Sequence, residues 1–381
     1  MSALSHTAMA GTRISVILYA VHLQASPAIV GILGALLSVV AMFTSVMVGH
    51  WLDRGGPRMP MLVGCVMSSV GMAIGFVWPG LAVLFFVNIL VGTFTNMFFI
   101  VNQNLVGQYG KPEDRVGNFS LSGLGYSTAA FIGPMLAGFA IDSFGHPETF
   151  LLLAMLPLIP AVILCLDKLE FPPRQAPAAP RADGAAEAST LQLIVDRKLG
   201  PIFFASVLSQ ATWNLFSFLM PIHLAGLGLS ASTIGAIVGS FYFSSMVSRF
   251  FLPWIARHFT PWQLLLASFA GGGLSFFGLT MTDHLAWVVV LSVWLGLVLG
   301  FTGPMIMTLL YEASPEGRTG KVVGVRVMLM NITQTILPLL AGAVGAAFGV
   351  APAFWFIGVA LMGGGWSARR ESLRHDRRGH S

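Results

Sequence analysis

The chain has 381 residues, of which 55% are hydrophobic, only 9% are charged and 43 are glycine, with a formal net charge of +5. A soluble protein this apolar has too few polar residues to cover its surface. Soluble enzymes and nucleic-acid binders are therefore excluded, and a polytopic membrane protein remains. Apolar runs reach about 20 residues, the length a helix needs to cross the hydrocarbon, without the strict alternation of a transmembrane barrel. An all-α membrane protein is expected. Cys65 and Cys165 both lie in apolar runs and support neither a disulfide framework nor a metal site. The first ten residues carry no Lys or Arg, so no cleavable signal peptide is read there.

Taken in order, the apolar runs predict twelve spans: 2–23, 29–51, 59–78, 80–106, 116–140, 147–166, 199–225, 232–255, 262–281, 284–310, 320–344 and 351–367. Residues 167–198 are rich in Pro, Ala and charge and cannot bury a core, so they read as a linker. The expected organisation is a six-helix half over 1–166, the linker 167–198, a second half over 199–367 and a basic tail over 368–381. Lys and Arg fall at one side of these spans, among them Arg54, Arg58, Lys111, Arg115, Arg197, Lys198, Arg257, Arg318 and Lys321. The loops of the other side hold no Lys or Arg, only Asp142, His146, Glu148, Asp283 and His284. By the positive-inside rule both termini and the linker are expected in the cytoplasm, with the protein multi-pass in a bacterial inner membrane.

An internal repeat joins the halves. At a shift of 204 residues Pro134, Leu136, Ala137, Gly138, Phe144, Gly145 and Phe150 match Pro338, Leu340, Ala341, Gly342, Phe348, Gly349 and Phe354. The same shift pairs Gly31 with Gly235 and Gly92 with Gly296. The start of span seven, near Leu199, corresponds to a position before Met1. Span one thus either begins at the chain terminus or has its true start further upstream, the second reading being preferred.

The stretch Gly49-x-x-x-Asp53-Arg54-x-Gly56-x-Arg58, between spans two and three, resembles the signature loop of the major facilitator superfamily. That resemblance implies a twelve-helix bundle of two six-helix repeats around a central cavity, working by alternating access. It also implies that this loop gates the cytoplasmic side. The counterpart in the second half has Pro253 for Gly49 and Arg257 for Asp53. Gly133-Pro134-x-x-x-Gly138 in span five resembles the family's glycine-proline antiporter motif, and with Pro338 in span eleven it is expected to act as a hinge. The arginine that proton-coupled exporters carry in span four is absent, because Asn88 occupies its place in Asn88-Ile-Leu-Val-Gly92.

Arg13 is the most informative single residue. The repeat places it opposite Ser217, well inside a span, where a guanidinium is costly unless it faces a cavity or a partner. Span interiors hold almost no Asp or Glu, so an anionic substrate group is the attractive counterion. Asn96, Tyr126 and Tyr242, the face Gln210-Trp213-Asn214 and the face Asn331-Gln334 are the other expected substrate contacts, with interhelical hydrogen bonding as the competing role. Arg326 is a further candidate for an anion path. His22 and His223 lie near span ends and read as interfacial. No nucleophile–base pair, zinc spacing or phosphate loop is present, so no catalytic residue, metal or cofactor is expected. The reading is a secondary transporter of a small solute, an organic anion by preference, expected to be a monomer in the lipid bilayer and driven by a gradient, with protons as a candidate coupling ion. Export of amphipathic compounds by proton antiport is the alternative, and a non-transporting sensor the third.

Overall fold

The structure is a computed structural model of the full chain. It describes residues 1–108, 115–166, 171, 190–282, 284–315 and 319–379, leaving out the side chains of 41–47, 49–50, 52–55, 107, 115–117, 119–120, 191, 319–320 and 372–379. Among the described residues there are helices and no strands: α1 Ser2–His22, α2 Pro27–Gly55, α3 Arg58–Val77, α4 Leu81–Gln108, α5 Arg115–Phe144, α6 His146–Cys165, α7 Thr190–Val195, α8 Leu199–Gly226, α9 Ala231–Ile255, α10 Pro261–Thr280, α11 Leu285–Leu299, α12 Thr302–Ala313, α13 Thr319–Phe348 and α14 Ala351–Gly379. Nine described helical stretches are long and apolar enough to cross a membrane. With α11 and α12 forming one span and α7 an extra turn inside the linker, these helices are the twelve-span bundle expected from the sequence.

The repeat is visible in the helix boundaries. The starts of α2 and α9, of α4 and α11, and of α5 and α13 are each 204 residues apart, as are the ends of α1 and α8. It is also visible in packing. A Cβ on Gly92 would lie 2.8 Å from the Leu37 carbonyl carbon, and one on Gly296 would lie 3.0 Å from that of Phe241. Leu37 and Phe241 are themselves repeat partners. Each glycine therefore lets a helix backbone rest directly on its neighbour, as small residues do in membrane bundles.

Two stretches differ from the sequence reading. Span two was expected to end at 51, leaving 52–58 as a loop, yet α2 runs on through Gly55. Leu52, Asp53 and Arg54 contain no helix breaker. The helix stops only at Gly56, whose φ of 73° is open to glycine, and Pro57 cannot continue the hydrogen bonding. The side chains of Gly49, Asp53 and Arg54 lie outside the described residues. Span ten is the one apolar stretch expected, Leu285–Ala313, but a turn at Gly300–Phe301 divides it into α11 and α12; both residues keep helical dihedrals, and Pro304 has no N–H for the Gly300 carbonyl. The side chains there answer the turn: the Ser268 hydroxyl donates to the Val298 carbonyl at 2.6 Å and that of Thr302 to Leu299 at 2.7 Å. Carbonyls loosened by the turn are thus satisfied without water, which the hydrocarbon requires.

The chain clusters into two compact units, Met1–Ala182 with Met220–Gly239, and Asp183–Leu219 with Ser240–Ser381. In the first, α1 packs against α5, α6 and α4, while α3 packs against α4 and α6. Val48, Met61, Cys65, Phe98, Val101 and Leu164 form an apolar cluster there. In the second, α10 packs on α14 and α11, with Phe269, Phe276 and Phe354 fully buried.

Candidate functional site

In the first unit the site is built on α1. From Gly11 to Ala20 every residue is buried except Arg13, which is half-buried. Thr12 and Ser15 spend their hydroxyls on carbonyls of their own helix, Ala8 and Gly11. Gly11 meets Leu153 of α6 and the Gly133 carbonyl of α5, and Gly133 in turn lies against Thr7 and Ala10. With its helix enclosed this way, Arg13 is the position of that run that opens onto free space. No described residue makes a hydrogen bond or ion pair with it.

His6, Met9, Ala10 and Arg13, all only partly buried, form one stripe along α1 at helical spacing. The His6 ring meets the Tyr126 ring edge-on at 5.0 Å between centroids. Tyr126 accepts a hydrogen bond from Asn102 Nδ2 at 2.9 Å and packs against Phe99. His6, a residue that sequence reading missed, thus joins the Tyr126 cluster to the face of α1 that carries Arg13. A signal was present: the 204-residue shift pairs His6 with Gln210, already a candidate. Asn96 lies on continuous α4, half-buried and engaged with a neighbour, at the position where the second repeat has Gly300.

The second unit repeats the pattern on α8. From Ala211 to Leu219 every residue is buried except Trp213, and Val207, Gln210 and Trp213 form the partly open stripe. Trp213 packs edge-on against Phe241 at 4.8 Å and tilts over Tyr242 at 5.7 Å. The Tyr242 and Ser217 hydroxyls are 2.5 Å apart. Asn214 is 5% exposed, and its Nδ2 is buried with no hydrogen-bond partner. A buried unmade amide donor is costly, so this atom needs an acceptor, as do the buried hydroxyls of Ser292 and Thr335. Arg326 differs from Arg13 in having partners: its Nε donates to Ser206 Oγ at 3.1 Å and its Nη1 approaches Met307 Sδ at 3.3 Å. Gln334 is half-buried, whereas Asn331 sits on an exposed stripe of α13 with Met328, Ile332 and Ile336.

The residues read as moving parts fall at helix contacts. Pro134 and Pro338 lie inside continuous α5 and α13. A Cβ on Gly138 would lie 2.8 Å from the Ala231 carbonyl carbon, and one on Gly235 would lie 3.0 Å from that of Pro134. Arg58 closes the end of α6: its Nη2 donates to the Leu164 carbonyl at 2.6 Å and to Cys165 at 3.4 Å, with Nε donating to Leu164 at 3.0 Å. His22 and His146 face each other at 4.8 Å, with Tyr19 stacked on His146 at 4.9 Å. Among the described residues no group of three His, Cys, Asp or Glu is placed to hold a metal.

Known proteins agree with this architecture. The chain is 23% identical over 330 residues to the probable nitrate/nitrite transporter NarK2 of Mycobacterium tuberculosis, covering 84% of this chain and 78% of that one. It is 22% identical over 333 residues to the multi-drug resistance efflux pump PmrA of Streptococcus pneumoniae, covering 84% and 81%. In fold it resembles the crystal structure of the nucleoside transporter NupG, with a TM-score of 0.77 at 12% identity over 97% of both chains. The family model described as Major Facilitator Superfamily matches residues 1–332 and 202–378. With its repeated helices and a match along nearly its whole length, the chain belongs to the major facilitator superfamily of membrane transporters.

Proposed function

We propose that the chain is a secondary transporter that moves a small organic anion by alternating access, with Arg13 as the anion's counterion. The observation that carries this reading is the single open position in the Gly11–Ala20 run of α1: a guanidinium, half-buried, with no described partner. A charge held at that depth needs compensation. The rigid fork of arginine takes a carboxylate or phosphate in a bidentate pair, which a cationic drug cannot supply. In the first unit, Tyr126 and Asn96 are the further polar groups assigned to the solute. On α8 and α9, Gln210, Trp213, Asn214 and Tyr242 offer amide donors and an aromatic wall, with Gln334 and Asn331 on α13. Gly133, Pro134, Gly138 and Pro338 serve as flexure points, and the stretch from Gly49 through Asp53 and Arg54 to Gly56 and Arg58 as the gate at the basic end. We place that end in the cytoplasm of a bacterial cell, with the protein a monomer in the inner membrane and protons the coupling ion. The one-sided distribution of Lys and Arg supports that orientation.

Export of amphipathic compounds is the second reading, supported by the Trp213, Phe216, Phe241 and Tyr242 cluster and by efflux pumps among the relatives. Proteoliposomes distinguish the two. Uptake is screened with radiolabelled carboxylates, phosphates and amphipathic cations, with and without a pH gradient, for the wild type and Arg13→Ala. Carboxylate or phosphate uptake that Arg13→Ala abolishes supports the anion reading. Transport of amphipathic cations alone, indifferent to Arg13, overturns it in favour of export.

A further inference from the structure

At the end of the spans away from the basic residues, one carboxylate gathers the start of another helix. Asp142, in the last turn of α5, accepts the Ala231 amide on Oδ1 at 3.0 Å and the Ser232 amide on Oδ2 at 2.7 Å. The Ser232 hydroxyl donates to the same Oδ2. These are the first residues of α9, whose amides have no partner inside their own helix and whose dipole favours an anion. The usual N-cap lies next to its helix in sequence, whereas this one comes from a residue 89 positions earlier.

The contact around this cap is backbone on backbone. Gly138 lies against Ala231 and Ser232, Gly235 against the Pro134 carbonyl, and Gly239 against Phe131 and Met135. Met220–Gly239, by sequence the end of span seven and the start of span eight, clusters with the first unit. Only at Gly239 does a side chain, that of Met135, enter these glycine contacts, so the surfaces meet mostly through backbone and are either seated or apart. Such a contact has two states. The repeat does not duplicate the device, because the 204-residue shift puts Ala346 where Asp142 stands.

We propose that Asp142 is a releasable latch that caps α9 to hold Met220–Gly239 against α5, and lets go when this end of the transporter opens. Asp142 is exposed, so water can replace its partners on release. That makes the contact strong enough to favour the seated state and weak enough to leave it. The proposal is independent of the cargo and of Arg13.

The test measures distance without a substrate. Spin labels are placed at Phe144→Cys and Leu227→Cys in a Cys165→Ser background, and pulsed electron paramagnetic resonance is recorded in lipid nanodiscs. The parent should show a dominant short distance. Asp142→Ala should raise the ratio of long to short distances about 5- to 30-fold, the effect of losing a typical cap. Asp142→Glu should recover part of the short distance, and Ser232→Ala, which keeps both backbone donors, should shift it less than Asp142→Ala. Thermal unfolding should change little, because the core is untouched. Should Asp142→Ala not fold, Asp142→Asn carries the same comparison with a smaller rise. An unchanged distribution overturns the proposal. So does a lowered melting temperature with the short distance kept, which would make Asp142 a structural cap and no latch.

Discussion

Replacing Gly92 by alanine tests the paired helix contacts of the two repeats. The added methyl would stand 2.8 Å from the Leu37 carbonyl carbon and 3.0 Å from its Cα. Carbon atoms touch comfortably at about 3.5–4.0 Å, so the overlap is roughly 0.5–1 Å. Leu37 offers backbone there, and no rotamer change relieves it. The helices must part, and the leucines and valines packed beside them lose contact along the whole interface. Overpacking of this kind costs about 1–3 kcal/mol. Gly296→Ala should cost a similar amount, because Phe241 presents the same backbone to it. Gly125 provides the control: its nearest neighbour would be the Ala3 Cβ at 3.9 Å, so alanine there fits and gains helix propensity of about 0.5–1 kcal/mol. Thermal unfolding of the purified protein, followed by tryptophan fluorescence, reads all three. Lowered midpoints for Gly92→Ala and Gly296→Ala beside an unchanged or raised one for Gly125→Ala are expected. Equal midpoints for all three would refute the close approach.

Other outcomes follow from single contacts. Arg58→Ala removes every hydrogen bond from that guanidinium to the Leu164 and Cys165 carbonyls at the end of α6. It should lower stability by about 1–2 kcal/mol in the same unfolding assay, with Arg58→Lys recovering part. Gly145, at φ 100° between α5 and α6, should lose about 1–2 kcal/mol on replacement by alanine, which strains the backbone and meets Glu148. Asp53→Asn should slow turnover in proteoliposomes far more than it weakens binding, since we assign that stretch to gating. Unchanged turnover would count against the assignment.

Much of the fold could be read from the chain because a bilayer leaves few choices. Apolar runs of span length must be helices, and the glycines of the repeat mark where they touch. Three features were harder to read, for distinct reasons. The polarity of His50, Asp53 and Arg54 suggested a loop, yet polar residues do not end a helix, and Gly56 with Pro57 does. The turn at Gly300–Phe301 traces to Pro304, which has no N–H for the Gly300 carbonyl, and it is stabilised by hydroxyls from Ser268 and Thr302, one of them distant in sequence. Asp142 looked like an ordinary loop acid, because its partners at Ala231 and Ser232 are met only once the helices pack. Within the candidate site, Arg13 stood out from its cost in a span, and Gln210 and Trp213 from their spacing. His6 lacked such a signal on its own, sitting close to the chain start where a titratable residue is unremarkable. Its ring contact with Tyr126 and its place on the Arg13 stripe give it weight.

The central claim is that Arg13 holds the charge of an anionic cargo. The most direct measurement is uptake of radiolabelled small carboxylates and phosphates into proteoliposomes by wild type, Arg13→Lys and Arg13→Ala, each confirmed folded by its unfolding midpoint. Loss of uptake in Arg13→Ala with partial retention in Arg13→Lys is the predicted result. Wild-type uptake of the same anion by folded Arg13→Ala would contradict it.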